Sequence, residues 1–500
     1  MRRAVAGLAV VILSSQVAAQ SVAIRAPDIA TAPLPRSIQS DGRTYVDQGL
    51  VASGSLSAGT VDFLGDTLGS FSSLSIEPGT WRRDGDAYTG ILWTLPDRGR
   101  NDPEHQVFFD YRARMHRFRL RMVPGKGTSI AGTVTFIPDG GRVLADFRGK
   151  PFTGADPGPG VLTQHGIVLP SPKRGTGAGK VSLDAESLQF TRDGGFYIGD
   201  EYAANVYRFD RGGRLTGVIE PPRAVRPLDT RGAPDFTSLR PPASGRRNNQ
   251  GVEGMALSPD GTRLFVVLQS ALVQDSRGED GAGRTPTRVL VYDVSRNATP
   301  SRPVAHFVVD LPAYDAKGKG GVPDRTAAQS EIRVLDDHRF LMLARDAAGR
   351  GAESDRPIVY KSVLLVDTTG ATNLAGTAYE TATTSVREAS GALRMAIRPA
   401  TWQPLVNLLN PADLARAGLS LAPGATQLSE KWEAMDLVPA LDDGHPDDWF
   451  LLVGNDNDFV ARHCVMDGER CDSAIDNDNR ILVFRLTLPD MRSTTASHHH

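Results

Sequence analysis

Four glutamates, Glu186, Glu253, Glu331 and Glu433, stand at matching places in four copies of one phrase. Each copy has the Glu, an apolar run, a turn such as Asp-Gly, and a second apolar run ending in acidic or amide residues. The copies are DAESLQFTRDGGFYIGDEY (Asp184 to Tyr202), VEGMALSPDGTRLFVVLQS (Val252 to Ser270), SEIRVLDDHRFLMLARD (Ser330 to Asp346) and WEAMDLVPALDDGHPDDWFLLVGNDND (Trp432 to Asp458). FSSLSIEPG followed by GILWTLPDRG, from Phe71 to Gly99, has the same outline without the Glu. Asp97, Asp200, Glu201, Asp346, Asn455, Asp456 and Asp458 follow the second runs. If the copies are arranged around an axis, these carboxylates converge. Like charges brought together repel at low dielectric, and a cation or a proton relieves them. A set of oxygens with no Cys and few His suits Ca²⁺ or Mg²⁺ better than zinc. The candidate metal ligands are therefore Glu186, Glu253, Glu433, Glu331, Asp200, Asp97, Asp456 and Asn455, with Ca²⁺ the expected ion. Glu186, Glu253, Glu433 and Glu201 are also the candidate catalytic carboxyls. The competing reading is that each Glu only accepts hydrogen bonds from neighbouring backbone.

Basic residues accompany the acids. Arg98 follows Asp97, Lys180 precedes the strand of Glu186, Arg345 precedes Asp346, and Lys431 lies two before Glu433. Arg suits bidentate contacts to phosphate, and Lys supplies a point charge. Cations beside a divalent ion would neutralise a phosphoester in its transition state. Salt bridges between repeats are the competing explanation. Other chemistries fail on motif. There is no G-x-S-x-G elbow and no H-E-x-x-H. GTGAGKV (Gly175 to Val181) lacks the first Gly and the final Ser/Thr of a P-loop.

What positions these residues must be a set of strands. Repeats of this length built from strands indicate a propeller, which brings equivalent positions around one channel. Third strands follow at Asn205–Asp210, Arg288–Val294, Ser362–Thr368 and Arg480–Leu486, with period-2 alternation. Fourth strands are expected at Arg214–Glu220 and Val304–Asp310. The last repeat has only three, so Tyr45–Leu56 is expected to supply its fourth and tie the first blade to the last. The reading is all-β: a single propeller over 44–490, with six blades preferred and five to seven open. Five are visible, and the stretch from Leu74 to Glu186 is long enough for another. Of the loop insertions, Pro404–Arg416 has helical spacing.

The chain has 500 residues, 40% hydrophobic and 23% charged, which is ordinary for a globular protein. Its formal net charge is −2 with no basic block, which argues against nucleic acid as a partner. Met1, Arg2 and Arg3 precede an apolar run from Ala4 to Ser14 and the small residues Val17, Ala18 and Ala19. This is the pattern of a secretory signal peptide over 1–19, cut after Ala19, and a secreted or periplasmic protein is expected. No later stretch is long and apolar enough to span a bilayer. Residues 20–43 are read as extended and 491–500 as a disordered tail whose final histidines have the look of a tag remnant. Cys464 and Cys471 are the only cysteines. In an exported protein they are expected to pair as a disulfide. A monomer is expected.

The phrases SFSSLSIEPGTW, LPDRG, GKVSLDAESL, FYIGDEY, YRFD, NNQGVEGMALSPDG, TAAQSEIRVLDD and KWEAMDLVP resemble the phytase-like family described by "esterase-like activity of phytase". The resemblance runs from about Gln48 to Leu486. It implies an exported hydrolase of phosphoesters or esters. By a more distant analogy, β-propeller phytases are calcium-dependent phosphatases. Two alternatives stand beside this: a non-catalytic binding propeller with structural ions, and a metal-dependent lactonase, since an acidic channel can also polarise a lactone carbonyl.

Overall fold

Along each strand, successive side chains point to opposite faces, so a strand packed on both faces contributes alternate residues to two cores. The computed structural model shows this throughout. It describes residues 22–29, 34–102, 105, 107–125, 130–277, 281–489 and 491. The signal-peptide span 1–19 and the tag-like tail lie outside the described residues.

Five four-stranded antiparallel sheets are present among the described residues. From the axis outward, the first is Ser73–Ile76, Ala87–Leu95, Arg114–Val123 and Gly132–Val143. The second is Ala185–Phe190, Phe196–Asp200, Val206–Phe209 and Leu215–Ile219. The third is Val252–Leu257, Arg263–Leu268, Pro286–Asp293 and Ala305–Asp310. The fourth is Ala328–Val334, Arg339–Arg345, Lys361–Asp367 and Thr401–Asn407. The fifth is Lys431–Pro439, Asp448–Asp456, Asn479–Thr487 and, as its outermost strand, Arg43–Leu56. That last pairing is the expected closure, with register from Val46 opposite Thr487 to Leu56 opposite Asn479. A short parallel contact, Gly132 with Ala52 and Thr133 with Ser53, also joins the first and fifth sheets at their outer edges.

The inner strands neighbour one another in a ring, and the fifth returns to the first. A separate apolar core lies between each pair of neighbouring sheets. Leu264, Val266 and Leu268 face the second sheet, for example, while Phe265 and Val267 face the fourth. The fold is a β-propeller. The described residues show five four-stranded units, within the expected range of five to seven and one below the preferred six. The long stretch between Leu74 and Glu186 forms the two outer strands of the first sheet and a hairpin, Val161–Gln164 with Ile167–Pro170. In the 404–416 stretch, the expected helix forms only from Pro411 to Arg416, capped by the Asn410 side chain accepting from the Ala412 N–H at 3.0 Å. Thr401–Asn407 is instead a strand, because its pairing with Lys361–Asp367 completes the fourth sheet.

Candidate functional site

In four sheets the inner strand carries a β-bulge near its start. A bulge puts one unpaired residue into the strand and re-aims its side chain, often beside a functional site. The bulged residue is Glu186 in the second sheet, Glu253 in the third and Glu433 in the fifth. All three line one cavity of about 1100 Å³ at the axis. Asp97, Arg98, Asp184, Glu201, Arg345, Lys431, Asp456 and Asp458 share its wall. The second strand runs antiparallel to the first, so its end returns beside the bulge. That is why residues 97, 201, 456 and 458 join residues 186, 253 and 433.

In the fourth sheet the bulge falls on Ser330, and Glu331 pairs one step along with Leu343. Glu331 therefore leaves the candidate ligand set. A one-residue slip in a strand sends the side chain elsewhere. Its carboxylate accepts from the Ser73 hydroxyl at 2.7 Å and from the N–H groups of Met255 at 3.2 Å and Ile332 at 2.9 Å. Arg333 lies 3.2 Å from it and also donates to Asp436 at 3.0 Å and to the Leu74 carbonyl at 2.9 Å. Asp436 accepts from the Ile76 N–H at 2.7 Å, and Leu188 N–H donates to Ser73 at 3.1 Å. These bonds tie the inner strands of all five sheets across the axis. Burial raises the Glu331 pKa to about 7, opposed by the Arg333 charge.

Three other expected site residues also hold the fold rather than the cavity. Asp200 accepts from the N–H groups of Asp184, Tyr202 and Ala203 and so fixes the turn after its strand. Asn455 is bound by Arg480 N–H, Ser429 and the Asp478 carbonyl. Lys180 points its ammonium to Asp110, and Asp110 also lies outside the cavity wall. The remaining basic candidates, Arg98, Arg345 and Lys431, do face the cavity.

Two groups of carboxylates come close enough to share a cation: Asp97 with Asp184 and Glu186, and Asp97 with Asp456 and Asp458, with their ligand oxygens within 4.8 Å of one another in each group. Glu253 and Glu433 line the same cavity outside these groups. Glu433 pairs with Arg345, and Glu253 accepts from the Gln269 amide at 2.5 Å. Asp97 sits on a tight turn. Gly99 has φ +86°, and its N–H donates to the Asp97 carboxylate at 3.0 Å. A Cβ at Gly99 would come within 2.6 Å of the Tyr111 ring, so both the turn and the packing require glycine.

The electrostatics of the floor are unrelieved. Burial, then the charges of Asp456 and Asp184, push the Asp97 carboxyl well above its ordinary range. Burial, then Glu253 and Asp184, do the same to Glu186. Burial lifts Asp184 to about 8 against the pull of Arg98. Burial lifts Asp456 to about 6 against Lys431. Burial, then the charges of Glu201 and Glu433, push the Glu253 carboxyl well above its ordinary range. Asp184 touches Arg98 at 2.9 Å, but neither of its oxygens takes an aligned hydrogen bond. Sequence reasoning passed over Asp184. The available signal was its place two residues before Glu186, on the same face of the strand.

The phytase-like family profile, described as "Esterase-like activity of phytase", matches residues 67–459. The chain belongs to the phytase-like family. An "Uncharacterized secreted protein" of the fungus Arthroderma benhamiae is 31% identical to this phytase-like chain over 480 residues, covering 86% of the chain and 90% of the relative. Among solved structures, the allergen Mala s 1 of Malassezia sympodialis aligns at 11% identity and TM-score 0.29, covering 93% of this chain and 92% of its own. Hydrazine synthase of Kuenenia stuttgartiensis aligns at 9% and 0.24, covering 73% and 59%. At those scores the structural likenesses support nothing further. No helix among the described residues is long and apolar enough to cross a membrane. Cys464 and Cys471 form the expected disulfide.

Proposed function

We propose that this protein is an exported, divalent-cation-dependent hydrolase of phosphoester or ester substrates, with its reaction centre on the acidic floor of the axial cavity. The observation that carries the reading is Glu186. It is 7% exposed and lines the cavity with no hydrogen bond or ion pair among the described residues, and both oxygens of Asp184 beside it are buried without an aligned hydrogen bond. A buried charge without a partner is costly, and buried carboxylates are normally paired or ligate a cation. With Asp184 and Asp97 beside it, the donor set is all carboxylate oxygen, which suits a hard cation such as Ca²⁺. Asp97, Asp184 and Glu186 would hold that ion. A divalent cation supplies charge that polarises a carbonyl or phosphoryl oxygen.

The chain's own groups then divide the work. Arg345 and Lys431 bring positive charge to the cavity wall and bind an anionic substrate. Burial and the charges of Glu201 and Glu433 favour the protonated form of Glu253, which suits it to give a proton to a leaving oxygen. Glu201 lines the same cavity and accepts from the Gly251 N–H at 3.3 Å. Export is supported by the signal-like start of the chain and by the description of the Arthroderma benhamiae relative as secreted. The test is turnover of a panel of phosphomonoesters, carboxylic esters and lactones by the metal-loaded and chelator-treated protein. Metal-dependent release of phosphate or alcohol is expected. Full activity in EDTA, or no turnover of any member, overturns the reading.

A further inference from the structure

The two carboxylate groups that share Asp97 differ in how their oxygens are used. In the first, both Asp184 oxygens are buried without an aligned hydrogen bond and touch only Arg98, at 2.9 Å, and no hydrogen bond among the described residues reaches Glu186. In the second, every member is served by the protein. Asp456 accepts from the hydroxyls of Ser70 and Ser72, the latter at 3.2 Å, and from the Asp458 N–H at 2.6 Å. Asp458 accepts from the Lys431 ammonium at 2.6 Å. Lys431 also acts electrostatically on Asp456, Glu433 and Glu430, and on Asp97 itself.

We infer that the cavity holds one divalent cation, in the group of Asp97, Asp184 and Glu186, and that the Lys431 ammonium takes the place of a second ion in the group of Asp97, Asp456 and Asp458. The inference rests on the metal-dependent reading above and adds the make-up of the centre. An acidic pocket of this kind can be neutralised by two metal ions or by one ion and a fixed side-chain cation. The choice is written in the chain, because Lys431 lies two residues before the bulged Glu433. That is the strand position Asp184 holds relative to Glu186. One position of the repeat thus presents an anion in the second sheet and a cation in the fifth. An anionic oxygen of the substrate would then meet a metal ion on one side of Asp97 and an ammonium on the other. A lysine in that role binds charge without the coordination geometry a second ion imposes.

The experiment is calorimetric titration of Mn²⁺ into the chelator-stripped full chain, repeated on Lys431→Met, Asp458→Asn and Asp184→Asn. Wild type is expected to bind one Mn²⁺ and Lys431→Met two. Asp458→Asn should keep one ion, whereas Asp184→Asn should bind the ion at least tenfold more weakly. Two ions in wild type, or loss of the single ion in Asp458→Asn, overturns the inference while leaving metal dependence intact. One ion in a folded Lys431→Met overturns it as well. If Lys431→Met does not fold, the Asp458→Asn and Asp184→Asn pair decides. No Mn²⁺ bound by wild type strikes the metal-dependent reading itself.

Discussion

Glu186→Gln should make the metal-free protein more stable, not less. One carboxylate oxygen from each of Glu186, Asp184 and Asp97 lies within 4.8 Å of the other two. At that separation and an effective dielectric near 20, each ionised pair costs about 3.5 kcal/mol. The protein escapes part of this by keeping a proton, since burial and the charges of Glu253 and Asp184 raise the Glu186 pKa well above 4.5. The folded state therefore binds more protons than the unfolded one, and stability falls as pH rises above 4.5. Glutamine mimics the protonated acid. In EDTA the variant should match wild type at pH 5 and exceed it by about 1–3 kcal/mol at pH 9. Saturating Ca²⁺ should reverse the order. An ion at 100 times its Kd adds about 2.7 kcal/mol to a protein that holds it, and the variant should lose most of that gain. Denaturant unfolding at both pH values, with and without Ca²⁺, gives all the terms. A variant less stable than wild type in EDTA at pH 9, or one with an undiminished Ca²⁺ gain, would refute the reasoning.

Gly99→Ala should cost about 1–3 kcal/mol from backbone strain, add a clash with Tyr111 and weaken ion binding through Asp97; thermal melts and Mn²⁺ titration check both effects. Arg333→Met removes the cation shared by the buried Glu331 and the half-buried Asp436, and should destabilise by about 3–5 kcal/mol in denaturant unfolding. A loss under about 1 kcal/mol would count against the cross-axis stitch. His306 is buried beside Arg288 and Glu380, and burial holds its pKa down at about 4. The unfolded chain takes up that proton first. The His306 contribution is thus complete above the unfolded pKa near 6.5 and falls away as pH drops toward 4, by at most about 3 kcal/mol. Parallel pH–stability curves should show a shallower acid limb for His306→Gln than for wild type.

Much of this was legible because a propeller writes its repeat into the sequence. The repeated phrase located the inner strands, and the missing fourth strand of the last repeat pointed to Tyr45–Leu56. The convergence of residues 186, 253 and 433 followed from their shared repeat position. Glu331 was misaligned by a single residue, and the count was available. Glu186 stands seven residues before Asp193 and Glu253 seven before Asp260, but Glu331 stands six before Asp337. Repeat position locates a strand, and only the bulge tells which residue of it turns inward. Side-chain pairing was not legible, because the partners lie far apart in the chain. Lys180 meets Asp110 across 70 residues, and Arg345 meets Glu433 across 88. The extra length between Leu74 and Glu186 read as room for another blade because length alone does not tell outer strands and a hairpin from a further sheet.

The central claim is that a divalent cation belongs between Asp97, Asp184 and Glu186. Anomalous diffraction from crystals soaked in Mn²⁺ tests this most directly. One strong peak is expected among those three carboxylates and none between Asp456 and Asp458. No peak in the cavity, or a peak held by Glu253 and Glu433 instead, would contradict it.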